Sequence, residues 1–456
     1  MTEQYEGGRS SGGCAVFRAW RLTALLINGG TGSGHFRNSE ELHKTQHRAE
    51  IYTEAYYRGR NKMTEEFMSE KDKTWAQETA RRIEEKMGWV CEKNKNRLPY
   101  TTGADGSYDD RSNMNEDENW GAGLCWWTNG FFGGILWQMY HATGNEKYKA
   151  MARHQEELLD PCFDRFQDIG HDVGFMWQPT AVTDYRLTGD KASRSRGLHA
   201  ASLLAARYNP AGRFIRAWED SPEQDRRGWA IIDCMMNLSI LYWASEETRD
   251  PRFRIVAENY ADTVKDNFIR PDGSSNHIVE FDPEKGGKVR TWGGQGYANG
   301  SAWTRGQGWA IYGFVISFLH TKREIYLDTS MRTADFFLAH MPKSGIIPID
   351  FLQPEEPALE DSCGACIAAS GLIKLAECCR RQGKTEETAE KYYKAGLRIL
   401  KAVGESRADW MKDCDAIVQE CAADYHSDGH HMTMIYADYF FMEAVFTLAG
   451  KGLFIW

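Results

Sequence analysis

Apolar and charged helical stretches take turns along this chain, and that alternation limits the folds open to it. From about residue 63 onward the sequence reads helix, short turn, helix. Tyr140–Tyr148 closes one helix and opens the next around Gly144-Asn145; Tyr185–Lys191 does so around Gly189-Asp190. Leu375–Tyr392 carries Gly383-Lys384-Thr385 at its middle, and Tyr242–Phe253 is a longer version. The Gly supplies a helix C-cap and the Asp or Asn the next N-cap. Gly134–Tyr140, Ile231–Tyr242, Trp309–Leu319, Ala365–Ala376 and Tyr436–Leu448 are apolar and aromatic; Lys147–Leu159, Asp250–Asn267, Thr321–Met341 and Thr385–Val403 are charged. Repetition at roughly 45 to 75 residues is what stacked helical hairpins give. An inner ring of apolar helices inside an outer ring of charged ones accounts for the pattern, and about six hairpins close it. The expected fold is all-α, an (α/α)6 barrel. An open solenoid would not carry long Trp- and Gly-rich loops at the inner-helix ends. The loops at 100–119, 160–180, 269–304 and 342–362 are expected to gather at one mouth. Thr64–Met87 reads as one long amphipathic helix, with Phe67, Trp75, Ile83 and Met87 among its apolar positions.

Residues 1–45, rich in Gly, Ser and polar residues, are expected to be a disordered extension, with 46–456 a single barrel domain. The Gly29–Gly34 cluster lacks the Lys-Ser/Thr of a phosphate loop. Ala24–Ile27 is too short for a signal core, and no run approaches the ~20 apolar residues of a membrane span, so no membrane partner is expected. A net charge of −10 argues against nucleic acid. Cys363 and Cys366 form a C-x-x-C without a second pair, and most of the 11 cysteines sit in apolar runs. Free thiols in a reducing compartment follow, hence a cytoplasmic protein. His430-His431 are adjacent and do not face one another, so no metal is expected. Gly8-Arg-Ser-Ser-Gly12 fits the Gly-x-Ser-x-Gly pattern only within the Gly- and Ser-rich extension, and 46–456 contains no such elbow. Its 16 Trp and 20 Tyr fit a groove for sugar-like ligands or simply a large aromatic core.

Trp229–Leu238 reads as a buried helix with one carboxylate, Asp233, in its middle. An unpaired buried carboxylate costs several kcal/mol. Asp233 is therefore expected to find partners or keep a proton by a raised pKa, as a general acid does. A structural Asp bonded to a loop is the competing reading. Asp172, in Gly170–Phe175, stands where a loop meets a helix start, so backbone N–H groups and the helix dipole should keep it ionised; a plain N-cap explains it equally well. Two carboxyls with opposite shifts would divide acid and base work. Around them lie Trp127–Phe131, Phe214–Trp218, Trp292–Tyr297 and Ser301–Trp309. Arg305, His277 and Gln295 could hold an anionic or polyhydroxylated ligand.

Together these clusters resemble the unsaturated glucuronyl hydrolases, glycoside hydrolase family 88, from about Trp120 to the C-terminus. The resemblance is carried by Trp127-Thr-Asn-Gly-Phe131, His171-Asp-Val-Gly-Phe175, Asp184–Asp190, Ile231–Asn237, Ser301–Trp309, Asp350-Phe351 and Asp361–Ser370. Phe132, Ile349 and Ala437 depart from it. It implies an (α/α)6 barrel acting on oligosaccharides that carry a 4,5-unsaturated uronic acid at the non-reducing end. On that pattern Asp233 protonates the C4=C5 bond and then activates the water that adds at C5, and Asp172 assists. His171, His277, Gln295, Arg305, Trp127, Phe131, Phe175, Trp218 and Trp309 would line the sugar site, with no metal or organic cofactor. A related α/α-barrel enzyme (an unsaturated rhamnogalacturonyl hydrolase or a sugar epimerase) and a non-catalytic helical scaffold are the alternatives.

Overall fold

The computed structural model describes residues 67–113, 123–165 and 169–456, all within the compact unit Ile51–Trp456. The expectation for residues 1–45 lies outside the described residues.

Twelve helical segments build the described fold: α1 (Glu70–Asn94), α2 (Phe131–Thr143), α3 (Glu146–Leu158), α4 (the contiguous pieces Val173–Trp177, Gln178–Val182 and Thr183–Thr188), α5 (Lys191–Ala206), α6 (Cys234–Thr248), α7 (Pro251–Asn267), α8 (Thr304–Thr321), α9 (Glu324–His340), α10 (Ser362–Arg381), α11 (Glu386–Ser406) and α12 (Ile435–Leu448). The even-numbered helices pack side by side, and α12 returns to α2. Each odd-numbered helix from α3 to α11 lies against the inner helix before it, and α1 covers α12. The sixth hairpin is thus made from the two ends of the described chain. This is the (α/α)6 barrel.

Burial follows the alternation. α10 is buried from Ser362 to Cys379. By length and apolarity it could cross a membrane, against the sequence expectation, yet it is wholly enclosed by the ring. On α11 the buried set Ala389, Tyr392, Tyr393, Gly396, Ile399, Leu400 and Val403 keeps helical spacing, and the opposite face is charged. The turns behave as read: Gly144 (φ 67°) and Gly189 (φ 77°) close α2 and α4 in the left-handed region, while Asn145 and Asp190 cap the next helices. Arg249 (φ 58°) takes that place after α6, where an L-residue costs about 1–2 kcal/mol.

Two stretches differ from expectation. Trp229–Leu238 is not one helix. Trp229–Ile231 is a strand, β3, in an antiparallel sheet of order β3-β4-β5 with β4 (Ile278–Phe281) and β5 (Lys288–Trp292). The preceding two strands, β1 (Tyr208–Asn209) and β2 (Phe214–Ile215), form a short antiparallel ribbon next to α5 in sequence. Hydrogen bonding to a strand some fifty positions away overrides the apolar pattern, a non-local effect that periodicity does not carry. The stretch 160–180 is likewise not all loop, because α4 begins at Val173. Gly174 is where α4 meets α6: a Cβ there would lie 2.6 Å from Asn237 Cα.

Candidate active site

Every inner helix starts at the same end of the ring, so the loops entering them form one mouth. Asp172, Asp233, Trp303 and Asp361 are the N-cap residues of α4, α6, α8 and α10. Asp361 behaves as a cap, accepting Cys363 N–H at 3.0 Å. Asp172 and Asp233 make no side-chain cap bond. Their carboxyls are recessed in the mouth, with side chains 18% and 13% exposed.

Asn237, one helical turn after Asp233, joins the two. Its Oδ1 accepts Phe175 N–H at 2.7 Å, and its Nδ2 lies 3.4 Å from both Asp172 Oδ1 and the Asp233 carbonyl. Burial, and then the neighbouring Asp233 charge, push the Asp172 carboxyl well above the usual carboxylate range. This corrects the expectation that Asp172 is kept ionised by capping: it faces another carboxyl, not a row of N–H groups. Beside it His171 is pushed down to about 4 by burial. His171 Nδ1 lies 3.0 Å from the Ala217 carbonyl, which can only accept, so Nδ1 carries the proton. Nε2 then presents a lone pair 3.1 Å from Asp172 Oδ1, out of line for a formed hydrogen bond but within reach of the Asp172 proton.

The sheet positions Asp233 from the other side. Ile232 N–H donates to the His277 carbonyl at 3.0 Å as β3 ends, which sets the His277 ring beside Asp233, Nε2 to Oδ2 3.6 Å. Trp303 packs on that ring at 4.2 Å. The Gln295 backbone N–H donates to His277 Nδ1 at 2.9 Å, and the Gln295 side chain donates to the Ala423 carbonyl at 2.7 Å. Asp350 shapes the loop beyond, accepting Tyr297 N–H, Ala302 N–H and the Ser301 hydroxyl.

Aromatic rings make the floor and one wall. Phe131, Phe175 and Trp309 are fully buried, with Phe175 5.4 Å from Phe131 and 5.1 Å from Trp309. Half-buried Trp127 lies above them, 5.4 Å from Phe175 and 4.8 Å from Tyr436. Trp218 stands edge-on to His171 at 5.7 Å. Arg305 is buried, donating to the Ala422 and Ala423 carbonyls and the Tyr436 hydroxyl and lying 3.6 Å from Asp361. Its guanidinium thereby braces the mouth from below.

Asn237, Trp303, Tyr436 and Trp229 are not among the site residues expected from sequence, although Trp229, Asn237 and Trp303 stand in the stretches singled out there. Asn237 had a usable signal, the i+4 spacing from Asp233; the other three arrive through non-local packing. As for metals, the ligand atoms of Asp361, Cys363 and Cys421 converge within 4.8 Å of one another. The Arg305 guanidinium already supplies positive charge there. His430 and His431 turn apart, one to the Asp424 carbonyl and the other to Glu420.

A ring of helical hairpins with two carboxyls among histidines and indoles suits a sugar-cleaving enzyme, a glycoside hydrolase. Residues 94–444 match the family model described as Glycosyl Hydrolase Family 88, and the chain belongs to that family. The match begins before Trp120, where the sequence resemblance was placed. An unsaturated glucuronyl hydrolase of Bacillus sp. (strain GL1) is 34% identical over 71% of this chain and 86% of its own length. An unsaturated chondroitin disaccharide hydrolase of Streptococcus pneumoniae (strain ATCC BAA-255 / R6) is 31% identical over 70% and 81%. The crystal structure of the unsaturated glucuronyl hydrolase from Bacillus sp. GL1, responsible for degradation of glycosaminoglycan, superposes with a TM-score of 0.73 at 30% identity, covering 82% of this chain and 96% of that one.

Proposed function

We propose that this enzyme removes a 4,5-unsaturated uronic acid from the non-reducing end of lyase-generated oligosaccharides by hydrating the vinyl ether, with Asp233 as general acid and base and Asp172 assisting. The reading is carried by the carboxyl pair at the starts of α4 and α6, where Asn237 ties the Asp172 carboxyl to the first turn of α6 and burial, with the Asp233 charge, holds Asp172 well above the usual carboxylate range. Asp172 has His171 Nε2 at 3.1 Å and Asn237 beside it, and Asp233 has the His277 ring at 3.6 Å, so each carboxyl has one imidazole at its side. Asp233 gives its proton to C4. Water then adds through oxygen to C5 and returns a proton to the Asp233 carboxylate, so one water is consumed and the acid is restored. The C5 hemiketal opens, and the rest of the sugar departs from C1. Trp127 and Trp218 offer apolar surface to the ring, and His171, His277 and Gln295 surround its polar edge.

The substrate class rests on the relatives, which act on unsaturated glucuronyl and unsaturated chondroitin disaccharide substrates. Cys91, Cys234, Cys363, Cys366, Cys378, Cys379 and Cys421 are buried free thiols, which supports a cytoplasmic location. The test is the ultraviolet band of the conjugated uronate on a panel of unsaturated disaccharides. Its decay with wild-type protein on at least one is expected; persistence on all would overturn the reading.

A further inference from the structure

We propose that the rim of the mouth holds an additional sugar subsite, on the exposed face of the three-stranded sheet, for an uncharged residue of the departing oligosaccharide. The proposal rests on the reaction assigned above, because it follows the sugar chain outward from the paired carboxyls.

The sheet does more than deliver Asp233 and His277. Trp229 pairs with Glu280 across β3 and β4, and Glu280 with Arg290 across β4 and β5. Directly paired residues share a face, and Trp292, two positions after Arg290, shares it too. A pocket of about 380 Å³ lies over these four side chains, closed on its far side by Glu223 and Asp225. A row of neighbouring indoles runs from it toward the candidate site. Trp218, edge-on to His171, lies 6.3 Å from Trp229, and Trp229 lies 5.3 Å from Trp292. In the other direction the site ends on the buried floor of Phe131, Phe175 and Trp309. On this proposal a chain anchored by its terminal uronate runs outward past Trp218 toward Trp292.

The lining identifies the occupant. Trp292 Nε1 donates to Glu280 Oε2 at 3.0 Å and Arg290 Nε to the same oxygen at 2.7 Å, so the indole is held by its polar edge. The Arg290 guanidinium rests 4.3 Å over the Trp292 ring on a side chain 59% exposed, a cover that a sugar ring can displace. Flat indole surface suits the C–H face of a pyranose. Glu280 is paired with Arg290 and Asp225 with Arg227, so the lining offers donors and acceptors to sugar hydroxyls while these guanidinium groups are already occupied by carboxylates and not set out for sulfate or a second uronate.

The experiment separates this subsite from the reaction. Binding is titrated calorimetrically on Asp233→Asn protein with an unsaturated disaccharide, the trisaccharide with an uncharged third sugar, and that trisaccharide sulfated on the third sugar. The uncharged third sugar should tighten binding about ten-fold, the order a single aromatic contact supplies. Sulfation should remove the gain, and Trp292→Ala in the same background should bring the ratio of the two unsulfated ligands close to one. Asp225→Lys, at the surface, should raise the affinity of the sulfated trisaccharide. No gain from the third sugar, a gain that survives Trp292→Ala, or a gain as large with sulfate would overturn the subsite. Hydrolysis of the disaccharide by wild-type protein is scored separately: its absence removes the reaction, while the binding ratio judges the subsite alone.

Discussion

His277 turns Nε2 toward Asp233 Oδ2 across 3.6 Å. The ring is held from behind, because Nδ1 accepts the Gln295 N–H and the proton of the neutral imidazole therefore sits on Nε2, facing the carboxyl. His277→Phe keeps a flat ring but loses this donor. At 3.6 Å the contact is longer than a formed hydrogen bond, so the loss is of the order of one neutral hydrogen bond made with substrate present, and kcat should fall about 2- to 10-fold. His277→Gln, whose amide can donate, should retain more. Steady-state kinetics on both variants checks this; equal losses would remove the donor role.

The raised carboxyl of Asp172 has a consequence for stability. Above about pH 4 an unfolded Asp loses its proton while the native Asp172 keeps it, so the unfolded state binds fewer protons and stability falls as pH rises, until the native carboxyl also titrates. Asp172→Asn removes this term. The variant should melt above the wild type at pH 7 and converge with it below pH 4. Calorimetric melting across that range checks the sign, and a pH-independent difference would contradict it.

Gly174 sets the spacing of the two aspartates. A Cβ at this position would lie 2.6 Å from Asn237 Cα and 2.7 Å from Asn237 Oδ1, atoms fixed by α6. Gly174→Ala should destabilise the fold by about 1–3 kcal/mol, the order of core overpacking. It should also reduce activity in the fraction that stays folded, because α4 must move away from α6. Urea titration with activity measured per folded molecule tests both parts.

Arg305 is buried against Asp361, two backbone carbonyls and Tyr436. Removing its charge leaves Asp361 uncompensated in the wall. Arg305→Ala should lose about 3–5 kcal/mol of stability, read from the urea midpoint. A variant as stable as wild type but with a raised KM would instead put Arg305 in direct contact with substrate.

The ring was legible in the sequence because its signals are local. Gly144-Asn145 and Gly189-Asp190 mark turns whose capping is decided within a few residues. The apolar character of α10 and the one-sided burial of α11 are written in their own segments. Trp229–Leu238 misled for the opposite reason, since Ile231 joins a strand through its register with Ile278, which no local pattern reveals. That error placed Asp233 inside a helix rather than at its start. The identities of both aspartates were legible, but their electrostatics were not. Asp172 occupies an N-cap position as read, yet its carboxyl makes no cap bond, and its burial, together with the charge of Asp233 some sixty positions away, raises it.

The central claim is that Asp233 carries the proton to the double bond. The direct measurement is the decay of the conjugated-uronate absorbance with Asp233→Asn protein, on a disaccharide that the wild type hydrolyses, with folding confirmed by an unchanged melting profile. The account predicts a loss of at least about 100-fold, the lower order for a removed general acid. A folded Asp233→Asn protein that hydrolyses the disaccharide within a few-fold of the wild-type rate would contradict it.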